Sequence, residues 1–189
     1  MIFSRLIYLL LCGLALACIV HIIIILTIPF VGKRDIARQI VTKFPERELV
    51  SLDESSGLEI ASLDPFVKTV VCKFDLEELA LLVTGTAESD FWTAAVYNAR
   101  GEVIYSLNDR TAIGGQVRLL IVNPIQMATI RQVQPDELET AVVIEMPEQR
   151  GFVAIRSLAY GPSQSNHNAA GTGEASCEDY EPFSQIDED

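Results

Sequence analysis

The sequence predicts a mainly β protein: an N-terminal transmembrane helix, then a compact antiparallel β-sandwich or partial barrel with one short helix. Three observations carry that expectation. The stretch Leu6–Phe30 contains no Asp, Glu, Lys or Arg. From Phe66 onward, short runs rich in β-branched residues alternate with turn residues, the pattern of strands in an all-β domain. Asn123-Pro124 writes a helix start in full, an N-cap residue followed by proline at the first helical position.

The anchor comes first, as residues 1–34. At about 1.5 Å per residue, Leu6–Phe30 reaches across a hydrocarbon core of about 30 Å. Ala15-Leu16-Ala17 fits the small-x-small pattern of a signal cleavage site, but Ile19, Val20 and Ile22–Leu26 continue the apolar run past it. A lipoprotein signal would place Leu three residues before Cys18, where Ala15 stands. An uncleaved anchor is therefore expected. Gly13, Ala17 and His21 recur every four residues and share one helix face. Small residues at this spacing let two spans approach, and a histidine can bond across the contact. The alternative is a neutral histidine near an interface, with small residues beside it by chance. Arg5 flanks one side of the span; Lys33, Arg34 and Arg38 flank the other. Taken alone, these charges place the following domain in the cytoplasm.

Residues 35–62 read as a juxtamembrane helix and linker. Ile36, Ile40, Val41 and Phe44 fall on one face of a helix from Asp35 to Phe44, which Pro45 ends. That helix suits either a bilayer surface or a plain stalk. Ser51–Gly57 is a polar linker. The β-domain is expected at 63–160. Its strands are Val67–Phe74, Leu79–Thr86, Phe91–Tyr97, Glu102–Leu107, Gln116–Val122, Val142–Met146 and Phe152–Ser157. Asn98-Ala99-Arg100-Gly101 closes the clearest hairpin. A second hairpin is expected across Pro147–Gly151. The helix opened by Asn123-Pro124 should run to about Val133, and Asp136–Glu139 suits one more helical turn.

Residues 161–189 read as a flexible acidic tail. They hold seven acidic residues and no Lys or Arg, out of a net charge of −12 for the chain. Such a composition buries too little apolar surface to offset its ordering entropy. An acidic chain with no basic cluster excludes nucleic acid as a partner.

Side-chain chemistry narrows the function further. The only histidines are His21, in the span, and His167, in the tail. The β-domain therefore holds no His-based catalytic triad and no His-based metal site. No glycine-rich phosphate loop is present. Catalytic, cofactor-binding and metal residues are all expected to be none, and no cofactor is implied. Asp75, Glu77, Glu78 and Asp90 are the carboxylates that acid–base work or a hard cation would need. The alternative is a solvated turn, the ordinary place for charged residues. Asn108, Asp109 and Arg110 form the most distinctive polar string: a contact patch for a partner, or a self-satisfied turn with Arg110 paired to Asp90 or Asp109. Phe91 and Trp92 are expected in the core. Cys12 and Cys18 lie inside the span, Cys72 and Cys177 outside it. A bridge between the last two would close a loop of roughly 100 residues, contributing about 4.7 kcal/mol in the chain-entropy model. It would require an oxidising compartment and so outweigh the flanking charges. Two unrelated thiols remain the alternative.

The chain resembles small bacterial inner-membrane proteins of unknown function, the domain of unknown function family 1254. The likeness runs through Pro65-Phe66, Cys72-Lys73-Phe74-Asp75, Phe91-Trp92, Val96-Tyr97, Gly101 and Tyr105–Arg110. It continues through Asn123-Pro124, Gln126-Met127, Asp136–Glu139 and Gly151-Phe152-Val153. The resemblance implies a single span followed by a β-rich domain outside the inner membrane, with a later cysteine corresponding to Cys177. It implies no activity. The chain departs from the family where an amphipathic helix would precede that cysteine, since Ser163–Ser176 is polar and glycine-rich. The expectation is a single-pass inner-membrane protein with a periplasmic domain, a binding or assembly module of the bacterial cell envelope. Its partners would be the membrane and either another envelope protein or a second copy through the span. Alternatives are a small carboxylate- or metal-dependent envelope enzyme and a carrier of an apolar ligand.

Overall fold

The computed structural model describes residues 2–52, 56, 58, 66–86, 91–133, 135, 138–158 and 175–181. It divides into two compact units, Met1–Asp35 and Ile36–Asp189. Helix α1 (Ile2–Lys43) begins in the first and ends in the second. Within the first unit, Phe3–Ile28 is long and apolar enough to cross a membrane. Leu10, Leu16, Ile23 and Leu26 are among its exposed apolar side chains. Its hydroxyl at Thr27 donates to the Ile23 carbonyl at 2.7 Å, so that polar group is satisfied inside the helix.

In the second unit the strands are β1 (Leu49–Ser51), β2 (Val67–Asp75), β3 (Ala80–Thr86), β4 (Trp92–Asn98), β5 (Val103–Asn108), β6 (Gln116–Val122), β7 (Val142–Glu145), β8 (Arg150–Leu158) and β9 (Ser176–Tyr180). A second helix, α2 (Pro124–Val133), lies between β6 and β7 in sequence. The strands form two sheets, ordered β1-β2-β8-β4-β5 and β7-β6-β3-β9. Their inner faces share one core, built from Cys72, Phe74, Leu81, Val83, Trp92, Ala94, Val96, Val117, Leu119, Ile121, Met146, Val153 and Ile155.

Helices cover both outer faces. The end of α1 places Ala37, Ile40 and Phe44 on Val71, Phe152 and Ala154 of the first sheet. Met127 and Ile130 of α2, with Leu138, cover Ala80, Leu120 and Val122 of the second. The central strands are therefore buried on two sides. Gly151–Ile155 of β8 and Leu119–Val122 of β6 are buried at every position, which is why both segments read as unbroken apolar runs. In β4, buried and half-buried positions alternate.

The expected fold class holds, with differences that have physical causes. Val142–Met146 and Phe152–Ser157 do not form a hairpin. β7 runs parallel to β6 (Leu120↔Val143), because α2 carries the chain back before β7 begins, as a parallel pair requires. β8, apolar on both faces, needs neighbours on both edges and lies antiparallel between β2 and β4. Of the face predicted on Asp35–Phe44, Ile40, Val41 and Phe44 pack on the sheet while Ile36 stays exposed, and the helix is the end of α1 rather than a separate element. β1 falls at the edge of the polar linker and pairs with β2. The acidic end is not a tail at Ser176–Tyr180, which pairs with β3 (Val83↔Cys177). Trp92 is in the core as expected, but Phe91 is 52% exposed. Most of the predicted linker and tail, and Pro65, Asp90, Asp136, Glu137 and His167, lie outside the described residues.

Local chemistry fixes the joints. Asn98, fully buried, accepts from the N–H groups of Arg100 (3.0 Å) and Glu102 (2.9 Å) and donates to the Glu102 carboxylate (2.7 Å). Gly101 completes that turn at φ 77°. Asn123 and Gln126 form a reciprocal cap on α2: the Asn123 side chain accepts from Gln126 N–H (2.8 Å), and the Gln126 side chain accepts from Asn123 N–H (2.9 Å).

Two stability predictions follow from these joints. A Cβ at Gly151 would strike the Tyr97 carbonyl oxygen and come within 2.8 Å of Phe74 Cζ. Gly151→Ala should therefore cost about 1–3 kcal/mol or more, read as a lower midpoint in chemical unfolding. Asn123→Ala removes the cap and should cost about 1–2 kcal/mol in the same assay.

Candidate functional site

At the corner Asp75–Ala80 the chain leaves one sheet and enters the other, and side chains from three other segments bond to it. Arg47 organises it. Its backbone is left-handed (φ 59°), a conformation that costs a non-glycine residue on the order of 1 kcal/mol. Its N–H donates to the Lys73 carbonyl at 2.8 Å. Its guanidinium donates to the carbonyls of Asp75 (2.7 Å), Leu79 (3.2 Å) and Ala80 (3.3 Å), and pairs with Asp179 of β9. Asn123 donates to the Leu76 carbonyl at 2.8 Å, and Gln126 donates to that of Glu78 at 3.3 Å. Beside the corner, Cys72 of β2 and Cys177 of β9 are joined by a disulfide with Cα atoms 6.6 Å apart, so one covalent bond crosses from sheet to sheet.

The corner's acids are already engaged or solvated. Asp75 accepts from the Glu77 N–H (3.1 Å) and from Arg150 Nε (2.7 Å). That hydrogen bond first, and the carboxylate's charge second, push the Arg150 pKa up from its ordinary value. Glu77 and Glu78 are exposed. With the carbonyls of Asp75, Leu76, Glu78, Leu79 and Ala80 all accepting from side chains, the turn offers a hard cation few unengaged oxygens. Among the described residues, no group of three or more His, Cys, Asp or Glu is placed to hold a metal ion. Asp90, the remaining carboxylate of that set, lies outside them.

At the end of β5, Asn108 behaves as a turn residue. Its side chain accepts from the N–H groups of Arg110 (3.2 Å) and Thr111 (3.1 Å). Asp109 N–H donates to the Trp92 carbonyl at 3.2 Å, while Asp109 Oδ1 is buried and meets no donor among the described residues. Arg110 is exposed and belongs to none of the ion pairs among the described residues. The string thus divides: Asn108 is absorbed by the turn and Arg110 faces solvent. On α1, Gly13, Ala17 and His21 line one shallow groove with Leu16, Val20 and Ile24.

These features define a class: a two-sheet β-domain covered by a helix on each face, covalently joined between the sheets, in a chain that also carries an apolar helix of membrane-crossing length. The chain belongs to the family described as protein of unknown function (DUF1254), whose model matches residues 67–175. Among curated proteins, none matches. Solved structures to which the chain is similar include that of an uncharacterized protein from Burkholderia cenocepacia, at a TM-score of 0.48 and 11% identity over 80% of this chain. Another is a protein from Vibrio parahaemolyticus, at a TM-score of 0.44 and 8% identity over 62%. The chain spans 40% and 28% of those two chains.

Arg47 escaped the reading of the sequence. It sits between two glutamates in a stretch that suggests only a stalk, and neither its left-handed backbone nor its distant carbonyls leave a mark there. The strand at Ser176–Tyr180 did leave one: Cys177 and Tyr180 are large or apolar residues in an otherwise polar run.

Arg47→Ala should strand several carbonyls and cost about 2–4 kcal/mol, measured by urea unfolding. Removing the bridge with Cys72→Ala and Cys177→Ala should cost about 2–5 kcal/mol in the same assay, and an unchanged midpoint would contradict its role in joining the sheets.

Proposed function

We propose that the chain is a single-pass inner-membrane protein whose β-domain stands in the periplasm as a binding or assembly module of the cell envelope. The observation that carries this reading is the Cys72–Cys177 disulfide. Disulfides persist in oxidising compartments and are rare in the cytosol. The free cysteines, Cys12 and Cys18, both fall within Phe3–Ile28. That segment exposes a continuous apolar surface, which lipid would cover. The groove at Gly13, Ala17 and His21 supplies a face on which two spans could pack.

Binding rather than catalysis is favoured by how the polar groups are used. Asp75 is held by Arg150, and the corner carbonyls are occupied. A carrier role is disfavoured because Trp92, Phe74, Leu119, Ile121, Met146 and Ile155 fill the space between the sheets. Among the outward-facing groups of the described residues are Arg110 and, on the strand before its turn, Val103, Tyr105 and Ser106.

The test is thiol labelling in intact spheroplasts with a membrane-impermeant reagent. Cys177 should label only after treatment with a reductant that does not cross the membrane. Labelling that requires permeabilisation would put the domain in the cytoplasm and end the envelope reading.

A further inference from the structure

The two sulfurs of the bridge stand in unlike surroundings. Cys72 is buried completely. Its strand β2 has a neighbour on each edge, with Leu49 of β1 on one side of Cys72 and Val153 of β8 on the other. Ala37, Ile40 and Phe44 of α1 cover the outer face of the same sheet. Cys177 is half-buried on β9, which stands at the end of its sheet and has no fully buried residue. The neighbouring charges differ as well. Lys73 follows Cys72 and is held by Glu46 at 3.1 Å. Glu178 follows Cys177, is exposed, and belongs to none of the salt bridges among the described residues.

Thiol–disulfide exchange needs a line of approach as well as a thiolate. The attacking sulfur, the struck sulfur and the leaving sulfur lie close to one line, so the space behind the struck sulfur decides which one reacts. The line from Cys177 through Cys72 continues into the first sheet, under α1. The line from Cys72 through Cys177 continues toward an edge strand.

We propose that Cys177 is the exchange site of the bridge, the sulfur at which a dithiol oxidoreductase opens and closes it. In opening, a thiolate of that partner attacks Cys177 Sγ. The bond to Cys72 breaks, and Cys72 leaves as a thiolate that takes up a proton. The partner's second thiolate then attacks the partner's first sulfur, and Cys177 leaves in turn. The domain gains two electrons and two protons, and the partner becomes a disulfide. Closing runs the same path backward, with Cys72 resolving the mixed disulfide on Cys177. The fold keeps the two residues together through that step. The ladder to β3 (Val83↔Cys177), the Asp179–Arg47 pair and the 2.8 Å bond between the Thr84 and Ser176 hydroxyls do not depend on the S–S bond. The resolving attack is therefore intramolecular, between groups already positioned.

The test uses the detergent-solubilised full chain with Cys12→Ser and Cys18→Ser, so that the bridge holds the only cysteines. Brief exposure to cysteamine, a cationic monothiol, then acid quenching and peptide mass mapping, should place about nine in ten of the adducts on Cys177. Adducts shared evenly, or found mostly on Cys72, overturn the proposal. At equal thiolate concentration and low salt, cysteamine should react about threefold faster than anionic mercaptoethanesulfonate, because Glu178 repels an anion. Glu178→Lys should reverse that order, and an order it leaves unchanged overturns the proposal. So does a rate that stops rising with thiol concentration, since the bond would then react only after the domain had opened. Thioredoxin whose second active-site cysteine is replaced by serine should stay bonded to Cys177. A product bonded to Cys72, or no product, overturns the assignment. The assay reads the bridge in solution, whichever side of the membrane the domain occupies, so its failure is distinct from failure of the envelope reading.

Discussion

The backbone at Asp75–Ala80 must cross from one sheet to the other, and a crossing chain leaves carbonyl groups that neither sheet can pair. Much of the second unit is arranged around satisfying them. Arg47 supplies a fan of N–H donors from the segment after α1. Asn123 and Gln126 supply amides from the start of α2, using side chains that also cap that helix. The two helices that shield the outer faces are therefore tied, through their ends, to the same six residues of chain. Buried polar groups without partners cost about 1–3 kcal/mol each, so the donors and the corner stabilise one another.

Legibility in the sequence divided along physical lines. Strands and turns whose pattern is local were readable: the β4–β5 hairpin rests on Asn98 and Gly101, and α2 on the Asn123-Pro124 start. Partnership was not. β8 and β7 look like a hairpin because a turn separates them, yet β8 sits between β2 and β4, and β7 beside β6. Which strand a segment joins depends on what covers its faces, and residues distant in sequence decide that. Composition misled at Ser176–Tyr180, where polarity suggested a solvated end. Pairing with β3, the contact of Asp179 with Arg47 and the bond from Cys177 outweigh that polarity.

Carboxylates that look like a cluster in the sequence are dispersed by the fold. Asp75 turns inward to Arg150 and the turn, whereas Glu77 and Glu78 turn to solvent. The same holds for the string at 108–110, where adjacent residues have opposite fates because a turn reverses direction within two positions. Family membership over residues 67–175 fits this picture, since Cys72, Asp75, Asn123, Gln126 and Gly151, which carry the resemblance, all have structural work in the fold.

The bond between Cys72 and Cys177 also sets an order of events. The two residues are 105 positions apart. At synthesis rates of about 5–20 residues per second, the later cysteine follows the earlier by roughly 5–20 s. During that interval Cys72 is an unpaired thiol, because β9, the strand that carries its partner, does not yet exist. Any bond it forms meanwhile has to be undone, because the finished core has room at that position for Cys177 alone. A mispaired Cys72 is therefore recovered by thiol–disulfide exchange and not by oxidation alone, and β9, the last of the described strands to be made, is the one that closes the ring.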